Sequence, residues 1–177
     1  GIIKGMYKIL SSTKPLIRLL GSGSILRESI KAKEILSSYK IESEVWSVTS
    51  FNLLRKDGME AERYNQLNPH KEKQKTHIDK CFGDHDIPVI ATTDYMRVYA
   101  DQIRPYIYSS YAVLGTDGFG RSDTREELRE FFEINTNHIV RLTAFTLFKE
   151  SKISKELLDD IYKDIKVDPA KPNPWEV

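Results

Sequence analysis

Short runs of branched apolar residues alternate along the chain with longer stretches in which apolar positions recur every three or four residues. The first pattern suits buried strands and the second amphipathic helices, so their alternation predicts an α/β domain whose strands are linked by covering helices. Strands are expected at about Ile3 to Ile9, Leu16 to Leu20, Val45 to Val48, Pro88 to Thr92 and Ala112 to Leu114. The third and fourth are short and apolar, as befits buried parallel strands. The second strand ends in the turn Gly21-Ser22-Gly23-Ser24, after which a helix is expected, because Ile25, Leu26, Ala32, Leu36 and Tyr39 share one stripe.

Between the third and fourth strands the pattern becomes irregular. Phe51 to Arg55 reads as a helical turn, whereas Asn65 to His77 is polar, contains Asn68-Pro69 and is expected to be an exposed loop. Tyr95 to Ile103 reads as helix, with Asp94 as its expected cap. Gly115 to Asp123 is a glycine-punctuated loop, and Asp123 followed by Glu126 predicts a capped helix burying Leu128, Phe131 and Phe132. Helices are also expected at Thr136 to Lys149 and Ser154 to Ile165, before a tail in which Pro169, Pro172 and Pro174 prevent continuation.

Composition narrows the function classes. At 177 residues and 40% hydrophobic, the chain is long enough for one substantial core, so residues 1–177 are expected to form one domain. Lys and Arg number 27 against 26 Asp and Glu, and a net charge of +1 supplies no field for nucleic acid or an anionic membrane. A single cysteine, Cys81, permits no internal disulfide, which suits the reducing cytoplasm.

Three groups of residues invite chemistry. Ser22, Gly23 and Ser24 lie between a strand and a helix, where free amides and the helix dipole can hold an anion. The third glycine and the acidic residue of a dinucleotide site are missing, and the plainer reading is a tight turn with Ser22 or Ser24 capping the helix. His77, Cys81 and His85 recur every four residues, as metal ligands on one helix face would, but Gly83 is expected to break that helix. Asp94 and Asp117 follow strands, where open α/β sheets carry functional groups and where carboxylates also cap helices. No Ser-His-Asp order, zinc-protease motif or Walker lysine loop is present.

Taken together, GSGSILRESIKAKEIL, EVWSVTSFNLLRKDG, ATTDYMRVYADQIRPYI and YAVLGTDGFGRSDTREELREFFE occur in an order that resembles the C-terminal domain of bacterial homodimeric pyruvate dehydrogenases. Gly5-Met6-Tyr7 and Phe119-Gly120 resemble the transketolase C-terminal domain more broadly. The resemblance implies a three-layer α/β/α fold with a mixed five-stranded sheet, four strands parallel and the first antiparallel. It implies a piece of a longer chain whose thiamine diphosphate and magnesium are held by other domains, with no cofactor, metal or catalytic residue in this one. The implied partners are the remaining domains, a second subunit and dihydrolipoyl acetyltransferase. Phe119 and Arg121, presented by the Gly115 to Asp123 loop, are candidate interface residues, since an aromatic ring and a guanidinium are frequent anchors of such contacts; the other reading is that Phe119 folds back into the core and Arg121 meets only local carboxylates such as Asp117. The alternative is a self-standing α/β module that binds a small ligand or anion at the Ser22 turn.

Overall fold

The computed structural model describes residues 1–83 and 86–177. Five strands, β1 (Met6–Leu10), β2 (Ile17–Ser22), β3 (Ser43–Val48), β4 (Val89–Thr92) and β5 (Tyr111–Leu114), form one sheet of order β1-β3-β2-β4-β5. β1 runs antiparallel to β3 and all other pairings are parallel. Leu19 of β2 lies between Val45 of β3 and Ile90 of β4, at the centre of the sheet.

Alternation along the strands divides the core into two layers. Ile17, Leu19, Val45 and Ile90 face α1 (Leu26–Ser38), and α6 (Thr136–Lys149) and α7 (Lys155–Asp164) complete that layer through Ile139, Leu147 and Ile161. Leu20, Trp46, Val89 and Ala91 face the other way, toward α2 (Phe51–Leu67), α3 (His77–Phe82) and α4 (Arg97–Asp101). The result is the expected three-layer α/β/α arrangement. α5 (Arg125–Phe131) follows the glycine loop, and α6 packs against α1.

Several boundaries differ from the sequence reading. Ile2–Lys4 forms a 3-10 turn, closed by Gly5 at φ 102°, so the first strand starts only at Met6. The expected turn at Phe51 is instead the 17-residue α2. Phe51, Leu54, Gly58 and Ala61 bury its inner face at helical spacing, while the outer positions mix charged residues with the exposed Leu53, Met59, Tyr64 and Leu67. The polar loop therefore begins at Asn68 and ends at Thr76, which opens α3 through a reciprocal capping box with Asp79. Asn65 holds that loop by accepting from the Gln74 amide at 2.8 Å. The helix after Tyr95 is short, and Pro105 falls within a separate 3-10 turn, Arg104–Tyr106.

One buried polar chain runs across the sheet. Arg18 donates to Glu44 Oε2 at 3.3 Å and to the Phe82 carbonyl at 2.9 Å. Glu44 also accepts from Trp46 Nε1 at 3.2 Å and pairs with Lys8, so the charges of three strands satisfy one another.

Candidate functional site

The strand order places the topological switch point between β2 and β4, and a crevice at the carboxyl ends of those strands is where open α/β sheets bind ligands. Two side-chain hydrogen bonds span it. Ser22 Oγ donates to Thr93 Oγ1 at 2.9 Å, and Ser24 Oγ donates to Asp94 Oδ2 at 3.1 Å. Neither serine caps α1, which a 3-10 turn, Gly23–Ile25, precedes without any side-chain cap. Gly23 has φ 54°, a region that favours glycine, and a Cβ built there would stand 3.4 Å from Asp94 Oδ1. An anion bound at Ser22 to Ser24 would therefore share the turn with the Asp94 carboxylate, a repulsive arrangement.

Beside the crevice lies an open cleft of about 600 Å³, lined in part by Ser24, Asp94, Thr116, Arg125 and Arg129. The charged groups here are largely engaged with one another. Glu28, buried in α1, accepts from Arg129 Nη1 at 2.8 Å, from the Thr136 amide at 3.1 Å and from Thr136 Oγ1 at 2.7 Å. Arg129 also donates to Ser24 Oγ at 3.3 Å. The periodicity of single helices gave no signal of this cluster, because its members lie more than a hundred residues apart.

The carboxylates expected as caps exchange roles. Asp94 caps no helix, whereas Asp117 accepts from the Arg97 amide at 3.0 Å and pairs with its guanidinium at 3.3 Å. Asp123 likewise lies one residue too early. Thr124 is the cap of α5, accepting from Glu127 at 3.3 Å, and Asp123 accepts from the Thr124 amide at 2.7 Å. A threonine hydroxyl at the cap meets the amide two or three residues on, which a side chain one position earlier does not reach.

Phe119 is 80% exposed at the tip of the glycine loop. Arg121 is exposed but lies over the Phe131 ring at 4.1 Å, so it rests on its own domain. Of the metal-spaced residues, His77 and Cys81 meet on α3, with the thiol 3.4 Å from His77 Nε2. The same nitrogen lies 3.1 Å from the Met6 carbonyl, and burial pushes the thiol pKa up. α3 ends at Gly83, φ 62°, and His85 lies outside the described residues.

The profile of the transketolase-like TK C-terminal domain family matches residues 5–135. The chain belongs to that family. It is 44% identical to the pyruvate dehydrogenase E1 component of Pseudomonas aeruginosa, over 99% of this chain and 20% of that protein. It is 43% identical to the component of the same name from Escherichia coli K12, over 98% of this chain and 20% of that protein. The chain thus spans about a fifth of the length of these relatives. Among solved structures, a transketolase mutant from Pichia stipitis superposes with a TM-score of 0.60 at 19% identity, over 86% of this chain and 20% of its own. The transketolase from Leishmania mexicana gives 0.58 at 18% identity, over 94% of this chain and 20% of its own.

Among the described residues no three His, Cys, Asp or Glu side chains converge as a metal site requires. No helix among the described residues is long and apolar enough to cross a membrane.

Proposed function

We propose that the chain serves as the C-terminal domain of a pyruvate dehydrogenase E1 component. In the whole enzyme, pyruvate is oxidatively decarboxylated and the acetyl unit passes to a lipoyl group of dihydrolipoyl acetyltransferase in the cytoplasm. This domain braces the homodimer and the neighbouring domains and supplies no catalytic side chain. The observation that carries the reading is identity above 40% sustained over nearly the full chain to relatives of that name. The internal engagement of Asp94, Asp117, Glu28 and Arg129 supports a bracing role, since groups held by one another rigidify a surface instead of meeting substrate. Phe119, exposed at its loop tip, and Arg121 beside it are then contacts toward neighbouring domains or the second subunit.

The test has two arms. The full-length protein, supplied with thiamine diphosphate and magnesium, is expected to reduce an artificial electron acceptor in the presence of pyruvate and to lose that activity when residues 1–177 are deleted. The isolated chain is expected to give no saturable heat when titrated with the same cofactor pair. Micromolar binding by the isolated chain, or full activity without it, would overturn the proposal.

A further inference from the structure

The carboxyl ends of β4 and β5 carry an apolar surface that the domain does not cover. Tyr95, Met96, Val98, Tyr99, Phe119 and Trp175 are all between 46% and 80% exposed, while Ala100 and Ile103 take the inward positions of the same segment. Exposed apolar patches of this composition, aromatic and methionine side chains beside an arginine, characterise interface cores.

This surface is also rigid before anything binds. The Tyr95 amide donates to Thr93 Oγ1 at 3.2 Å, and the Tyr95 carbonyl accepts from the Thr116 amide at 2.9 Å. Thr116 Oγ1 donates to the Asp94 carbonyl at 3.0 Å, and Asp117 holds both the amide and the guanidinium of Arg97. At Gly115 the two segments approach so closely that a Cβ would stand 2.7 Å from the Tyr95 carbonyl oxygen. Arg97 reaches on to Trp175, lying 5.3 Å from its ring centre, and Gly118 packs on the Pro174 backbone. Tyr95 and Tyr99 are 5.4 Å apart, ring to ring. A face clamped in this way loses little entropy on docking.

We infer that this face, centred on Tyr95, Met96 and Tyr99, is a docking surface for the other four-fifths of the same polypeptide. The inference rests on the reading of the chain as one domain of a longer enzyme. Size selects the occupant. Aromatic side chains bury roughly 150–250 Å² each, so six large side chains about half to four-fifths exposed offer on the order of 600 Å². Two such faces make about 1,200 Å², within the roughly 600–1,500 Å² of domain contacts inside one chain. Obligate dimer interfaces start at about 2,000 Å², more than this patch provides to a second copy.

The experiment uses the full-length protein with p-benzoylphenylalanine in place of Tyr99, and separately in place of Leu67. Leu67 is 63% exposed but ends α2, which runs back toward the amino ends of the strands. After irradiation, the Tyr99 position is expected to give at least five times the cross-linked product of the Leu67 position. That product keeps the monomer's mobility on a denaturing gel and joins Tyr99 to a peptide preceding Gly1. A product of dimer mobility, a foreign protein adduct, cross-links confined to residues 1–177, or equal yields at the two positions each overturn the inference.

Unmodified full-length protein provides a second reading that does not depend on the variants folding. Met96 and Met59 are 55% and 48% exposed in this domain, so their peroxide oxidation rates would be similar without docking. At least fivefold slower oxidation of Met96 is expected, and equal rates contradict docking. A pyruvate-active enzyme that fails these tests rejects the docking surface alone. An enzyme inactive with pyruvate that passes them rejects the functional reading alone.

Discussion

Replacing Glu28 by alanine tests what joins α1 to the start of α6. The Glu28 side chain is 9% exposed and Arg129 15% exposed, so their pair at 2.8 Å is largely withdrawn from water. The second carboxylate oxygen accepts from the first amide of α6, at Thr136, where the helix dipole favours a negative charge. Removing the carboxylate strands a guanidinium and an orphan amide together. Breaking a buried pair by deleting one partner costs about 3–5 kcal/mol. Arg129 keeps Ser24 as a partner and some water, which puts the expected loss near the lower end, about 3 kcal/mol. For a domain of 177 residues this lowers the melting temperature by about 6–12 °C. Urea unfolding with an unchanged m value is the assay, since only then does the midpoint report stability. A double-mutant cycle with Arg129→Ala is expected to return a coupling of about 2 kcal/mol. A Glu28→Ala loss under about 1 kcal/mol, or a coupling near zero, would refute the reasoning and leave the cluster a surface contact.

Two further outcomes follow from packing and protonation. Gly58→Ala in α2 places a Cβ 2.4 Å from the Tyr106 ring, so the expected net loss is about 1–2 kcal/mol even after the roughly 0.5–1 kcal/mol that alanine gains in a helix; a stabilised variant in urea unfolding would contradict it. His138 is buried, with Nε2 lacking a partner and Nδ1 2.9 Å from Asn135 Oδ1, and burial lowers its pKa despite Glu130 and Glu133 nearby. The unfolded chain then binds the extra proton first, so stability contributed by neutral His138 is complete above about pH 6.5 and lost as pH falls toward the lower folded value. His138→Gln is expected to flatten that slope between pH 7 and 5.5, and a wild-type chain that becomes more stable on acidification through this window refutes the assignment.

The fold was largely legible because buried strands advertise themselves. β2 to β5 fell within a few residues of their expected places, since each is a short apolar run bounded by polar or glycine residues. α2 was not legible over most of its length. Asp57-Gly58 inside it is a turn-type dipeptide, and only a residue without a side chain fits under Tyr106. The glycine that disguises the helix locally is therefore required by its tertiary contact, and propensity yields to packing. β1 was placed about three residues early for a related reason: Ile2 and Ile3 are apolar but exposed, and hydrophobicity alone cannot tell an outward face from an inward one.

The candidate site was legible in its residues and not in its pairings. Asp94, Asp117 and Asp123 were all recognised as polar groups at element ends, yet none makes the contact that its own neighbourhood suggested. A cap is chosen by which side chain reaches a free amide in space. The Gly115 to Asp117 segment folds back against Tyr95 to Arg97, so the amide of Arg97 finds Asp117, twenty residues away, before it finds Asp94. Asp94 is thereby left to receive Ser24 across the switch point. That single exchange joins the β2 turn to the β4 loop across the switch point and leaves Tyr95, Met96 and Tyr99 exposed on a fixed backbone. The same short-range contacts that tie the strand ends together at the sheet's centre thus hold a docking face at its rim, a consequence of β4 and β5 ending side by side.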